Sequence, residues 1–209
     1  MPVPGTRDEN LLQGILRIMA DRRTGLSLKV LKIYREIDQK TARLQSAFGL
    51  RCPHLCGACC DNPEVEATVL ETLPLAEEIY LRNELDSLLG ALEERRNQAD
   101  FRCVLFLANP GVPGTGMCSC YRFRPLVCRL FVFAARRNKF GNLELSTCKL
   151  IKLREPEAVR KAETAISEGR LDVAVYQNSF MRIASLQPGI GFRRLPINVA
   201  LKEALERFW

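Results

Sequence analysis

Four cysteines fall within nine residues of this chain, in the run Cys52-Pro-His-Leu-Cys56-Gly-Ala-Cys59-Cys60. Thiols packed this densely, on a backbone that Pro53 and Gly57 allow to fold tightly, are what a tetrahedral thiolate site or an iron–sulfur cluster requires. Five more cysteines follow at Cys103, Cys118, Cys120, Cys128 and Cys148. A chain of 209 residues buries enough surface to hold a core without covalent staples. An odd count of nine also argues against a fully paired disulfide framework, and metal or redox chemistry is the better reading. Neighbouring Cys59 and Cys60 carry a constraint of their own, because consecutive side chains diverge along an extended backbone. They are expected to serve two sites, or to place one thiol behind the ligands. His54 is the single histidine, which removes most Ser-His-Asp, Cys-His and multi-histidine mechanisms from consideration.

Periodicity predicts a mainly helical α+β chain. Residues 1–49 read as two helices. The first opens on the capping-box pair Thr6 and Glu9 and carries Leu11, Leu12, Ile15, Ile18 and Met19 at helical spacing. The second presents Val30, Ile33, Tyr34, Ile37, Thr41, Leu44 and Phe48 on one face and ends at Gly49. Leu75 to Arg96 reads as one or two helices with a solvated charged face. Phe101 to Ala108 is the strand candidate, paired with a second short strand near Met117 to Tyr121. Between them, NPGVPGTG lacks the phosphate-loop signatures and reads as a positioning loop. Pro156 opens a helix that Gly169 closes, and Leu171 to Leu186 and Pro196 to Phe208 read as two more. The expected organisation is a cysteine-rich metal-binding core at 50–154 with short strands. Helical segments at 1–49 and 155–209 clamp it into one compact unit.

The runs C-G-A-C-C at 56–60, Arg102-Cys103 and C-S-C-Y-R-F-R-P-L-V-C-R-L-F at 118–131, with the late Cys148, resemble the YkgJ-like cysteine-cluster family. That family is described as a zinc- or iron-chelating domain. The resemblance implies eight metal ligands, Cys52, Cys56, Cys59, Cys60, Cys103, Cys118, Cys128 and Cys148, and leaves Cys120 surplus. The first spacing here is C-x3-C, where the family shows C-x2-C. A flagellin lysine methylase carries a related cysteine motif, so a methylase-like or SAM-dependent iron–sulfur enzyme stands as one alternative. The C-x3-C-x2-C spacing also matches radical-SAM enzymes. Those place an aromatic residue where this chain has Ala58, and they use a repeated β/α barrel that this helical pattern does not display.

All-thiolate sites suit zinc and iron–sulfur clusters alike. The expected cofactor is an iron–sulfur cluster, with structural zinc in an interaction module as the competitor. Arg124 and Arg129 flank Cys128, where they would either donate N–H groups to the sulfurs or form helix-end salt bridges. Tyr121 and Phe131 are expected to pack over the site. The chain carries a formal charge of +7, and residues 101–154 hold ten Lys/Arg against one acidic residue, Glu144. Nothing resembles an RRM, KH or helix-turn-helix signature. This charge is therefore read chiefly as the cationic housing of an anionic metal centre rather than as a nucleic-acid surface. Arg136, Arg137 and Lys139 form the densest exposed run and the patch for a redox or protein partner. No apolar stretch approaches the ~20 residues of a membrane span, and the N-terminus lacks a signal-peptide pattern, so a cytoplasmic protein is expected.

Overall fold

The computed structural model describes residues 24–112 and 114–208. The helix expected around Thr6 to Met19 lies outside the described residues. The fold is α+β and mainly helical.

Helix α1, Gly25–Phe48, begins where the Thr24 side chain accepts the Ser27 N–H, and ends at Gly49 in the left-handed conformation at φ 69°. Its buried face runs Val30, Ile33, Tyr34, Ile37, Thr41 and Leu44, matching the sequence periodicity. Two strands of three residues follow a common plan. Strand β1, Glu66–Thr68, leads into helix α2, Val69–Leu81. Near the C-terminus, strand β6, Arg194–Pro196, leads into the last helix, Ile197–Leu205. The two strands pair antiparallel, with Ala67 opposite Leu195. That pairing lays the two helices side by side, and the Thr72 hydroxyl donates to the Ala200 carbonyl at 3.1 Å across the seam.

Leu75 to Arg96 resolves into two helices, the end of α2 and helix α3, Leu85–Asn97, broken at Asn83 with φ 58°. The expectation of a solvated charged face fails for α2, because Glu77 and Glu78 are buried. Glu77 accepts the Thr24 N–H at 2.5 Å, and Glu78 pairs with Arg82 at 2.7 Å. Both carboxylates thus enter the interior with partners in place.

The predicted strand over Phe101 to Ala108 is shorter than expected. Only β2, Phe106–Ala108, is strand, and it pairs with β3, Gly116–Cys118, with Phe106 opposite Cys118. Tyr121–Phe123 is a 3₁₀ turn rather than a continuation of the strand. Helix α4, Leu126–Leu130, carries Cys128. A hairpin that the hydrophobic pattern did not announce follows, with β4, Ala134–Arg137, opposite β5, Leu143–Ser146.

Helix α5, Lys149–Arg154, begins directly after Cys148, and α6, Pro156–Ser167, ends near Gly169 at φ 69°. The predicted helix from Leu171 starts only at Tyr176. Ala174 is extended, its carbonyl accepting the Ala135 N–H at 2.8 Å. Helices α7, Tyr176–Ala184, and α8, Pro188–Gly191, then lead through β6 to α9, the Ile197–Leu205 helix. The three sheets among the described residues are two-stranded and antiparallel, unlike a β/α barrel. No helix of the described residues is long and apolar enough to cross a membrane.

Candidate metal centre

The cysteine-rich loop is a tight turn. The Cys56 N–H donates to the Pro53 carbonyl at 3.2 Å, and the Cys60 and Asp61 N–H groups both donate to the Gly57 carbonyl, at 2.8 and 2.9 Å. Coiling the backbone here overturns the premise that Cys59 and Cys60 diverge along an extended chain. Their sulfurs stand 4.0 Å apart.

The ring of Phe106 docks this turn onto the β2–β3 hairpin. A Cβ at Gly57 would lie 2.6 Å from that ring, and one at Gly116 would lie 2.5 Å from it and 2.4 Å from the Leu107 carbonyl. Both glycines are thus required by close approach. The Gly116 N–H closes the contact by donating to the Leu55 carbonyl at 2.9 Å. An ionic clasp joins the next pair of cysteine segments. Arg102, beside Cys103, reaches Asp61, beside Cys60, at 3.2 Å and holds Asp100 at 2.8 Å.

These contacts gather seven thiols around one cavity of about 310 Å³: Cys52, Cys56, Cys59, Cys60, Cys103, Cys118 and Cys128. Its other walls are mostly apolar, with Val65, Leu75, Leu105, Phe106, Val132, Phe133, Ile197 and Leu201. Cys52 is exposed at the rim together with Leu55, Met117 and Tyr121. The eighth expected ligand, Cys148, lines a neighbouring cavity of about 420 Å³ with Val127, Phe131, Lys149 and Tyr176. Cys120 is buried outside the thiol-lined cavity, packed with the α2 and α9 core. His54 is exposed on the turn and is not among the lining residues.

Burial makes most of these groups reluctant to ionise on their own. It pushes Cys103 up to about 11 and Cys52 up to about 11, and it raises Cys118 and Cys128 as well. Cys59 is the exception. The hydrogen bond shared with Cys60 stabilises its thiolate and brings it below the usual thiol range, while Cys60 is raised by the same contact. The two behave as one acid sharing a proton.

Arg124 supplies the opposing charge. It stacks on the ring of Tyr121, 3.8 Å from centroid to guanidinium carbon, and its positive charge favours the thiolates of Cys52, Cys59, Cys118 and Cys128. Its Nε is buried with no hydrogen-bond partner among the described residues. A half-buried cation with a spare donor beside clustered thiols fits an anionic thiolate centre, whose sulfurs would satisfy both. Among the described residues, no three of the His, Cys, Asp and Glu side chains stand close enough together to hold one ion as placed. The donor set thus rings a volume rather than a single point.

Arg129 is placed differently from the expected sulfur donor. Its Nε donates to the Arg124 carbonyl at 2.9 Å, one Nη to the Arg122 carbonyl, and the other pairs with Asp38. Two of its nitrogens therefore hold the peptide that runs from the 3₁₀ turn into the Cys128 helix, and the third ties it to α1. Tyr121 is 64% exposed and Phe131 39%. Tyr121 shields Arg124 at the rim, and Phe131 lines the neighbouring cavity rather than the thiol-lined one. Sequence reasoning missed Asp38, Asp61 and Asp100. Only the clasp around Arg102 had a local signal, an arginine directly preceding a cysteine.

Residues 51–168 match the family model CxxCxxCC, described as a "putative zinc- or iron-chelating domain". No curated protein and no solved structure matches the chain.

Proposed function

From its membership in the CxxCxxCC family of zinc- or iron-chelating domains, to which the chain belongs, we propose that it is a thiolate metal protein whose cavity houses an iron–sulfur cluster. The observation that carries this reading is the ring of seven thiols around one cavity of about 310 Å³. A single tetrahedral zinc draws four sulfurs to about 3.8 Å from one another, as its ~2.3 Å bonds require. A cavity of this size, in which no three donors among the described residues stand close enough together to hold one ion, suits a polynuclear core better. Cys52, Cys56, Cys59, Cys60, Cys103, Cys118 and Cys128 would hold the group, with Cys148 reaching it from the neighbouring cavity. When bound, it would supply one-electron chemistry, and Arg124 would offset its negative charge.

The open rim bears on the role. Cys52 is exposed there. Reach from outside supports electron transfer, metal handling or an auxiliary redox role toward a protein partner. One observation favours the zinc reading: the 4.0 Å between the Cys59 and Cys60 sulfurs is close to the tetrahedral sulfur spacing.

Single substitutions test the assignment. Cys59→Ser and Cys60→Ser are each expected to lower the metal bound per chain, and Cys120→Ser to leave it unchanged. Unchanged stoichiometry in both of the first two variants would remove these thiols from the site.

A further inference from the structure

Cys103 occupies an irregular stretch between helix α3 and strand β2, so no strand ladder fixes the direction of its thiol. Its flanking backbone groups are instead held by one side chain from the far end of the chain. The Asn198 amide donates from Nδ2 to the Arg102 carbonyl at 2.8 Å and accepts at Oδ1 from the Val104 N–H at 2.9 Å. These two bonds bracket Cys103 as a neighbouring strand would, with a planar amide standing in for a peptide group. The same residue stretch is gripped on its outer side by the Arg102 clasp to Asp100 and Asp61. Asn198 sits on α9 between Ile197 and Leu201 in register, and both of those line the thiol cavity. Helix α9 lies beyond residues 51–168, the part that matches the family.

We infer that Asn198 is a positioning residue of the metal centre, aiming the Cys103 thiol into the cavity from a helix outside the cysteine domain. The inference rests on the thiolate-centre reading above. Partners that orient a metal-binding side chain typically matter by about tenfold to a hundredfold in affinity, and here the orientation is applied through the backbone.

The test is an anaerobic titration of the full, reduced chain with Co²⁺, following thiolate-to-cobalt absorption, for wild type, Asn198→Ala, Cys103→Ser and the double variant. Lys202→Ala, an exposed position on the same helix paired with Glu206, is the control. Asn198→Ala is expected to weaken Co²⁺ binding by about tenfold or more and to reduce the absorption per chain, with Lys202→Ala unaltered. The double variant should bind no more weakly than Cys103→Ser alone, because both changes act through one thiol. Equal binding by Asn198→Ala and wild type overturns the assignment, as do losses that multiply in the double variant. Wild type that takes up no Co²⁺ overturns the metal reading itself along with it. If Asn198→Ala does not fold, Asn198→Asp keeps the acceptor for Val104 and loses the donor to Arg102. Its affinity should then fall between wild type and Cys103→Ser, and wild-type affinity would overturn the inference.

Discussion

The guanidinium of Arg129 lies over the ring of Tyr34, 4.3 Å from its centroid. Arg129 is on the Cys128 helix and Tyr34 on α1, and both are buried. The Tyr34 hydroxyl donates to the Glu71 carbonyl at 2.8 Å, so one stack joins three helices behind the thiol cavity. Replacing Arg129 by Met would strand the carbonyls of Arg122 and Arg124. Each buried unsatisfied group costs about 1–3 kcal/mol, and a loss of about 2–4 kcal/mol is expected in urea unfolding of the metal-free chain. Cys128 should also alkylate faster. A variant with wild-type stability and wild-type labelling would show that the stack holds nothing.

Arg124 favours the thiolate forms of Cys52, Cys59, Cys118 and Cys128. Metal uptake must displace thiol protons, so anything that raises these pKa values moves uptake to higher pH. Arg124→Gln should shift the midpoint of Co²⁺ uptake upward by about one pH unit. The pH profile of the cobalt absorption checks this, and a coincident or downward-shifted profile would contradict the electrostatic role.

Glu71 is buried and one carboxylate oxygen has no hydrogen-bond partner among the described residues. Burial is the main cause that carries its carboxyl from 4.5 to about 7, against the pull of the Val127 and Thr68 N–H groups. A folded pKa above the unfolded one means that the folded state holds the proton more tightly. The resulting stability is complete below about pH 4.5 and is lost as pH rises through 7. The shift corresponds to a loss on the order of 3 kcal/mol. Glu71→Gln should remove it, so the stability difference between wild type and variant should change by that amount between pH 4.5 and pH 8. Parallel stability profiles would mean that the carboxyl is not held protonated.

Sequence pattern gave ready access to the parts of the fold that rest on periodicity. The buried face of α1 needs only apolar residues three and four apart, and the turn that supplies four of the cavity's seven thiols follows from cysteines crowded in sequence. The β4–β5 hairpin escaped because Ala134-Ala135-Arg136-Arg137 shows no alternation of apolar and polar side chains. Glu77 and Glu78 look like surface residues in sequence. Glu78 meets Arg82 four residues on along the same helix, whereas the Thr24 N–H reaches Glu77 from 53 positions away. The turn at Gly57 was legible as a tight turn, but its consequence for the Cys59 and Cys60 sulfurs was not, because that depends on where the carbonyl of Gly57 finds its donors. Asn198 lies 95 positions from Cys103, with no local motif to connect them.

We propose that the seven-thiol cavity houses a polynuclear metal group. Metal and acid-labile sulfide analysis of the full chain purified without oxygen tests it most directly. Iron with matching sulfide and visible absorbance, lost together with thiol protection when the cluster is removed, is the predicted result. A colourless, metal-free protein that keeps its fold in chelator and presents nine freely titrating thiols would contradict it.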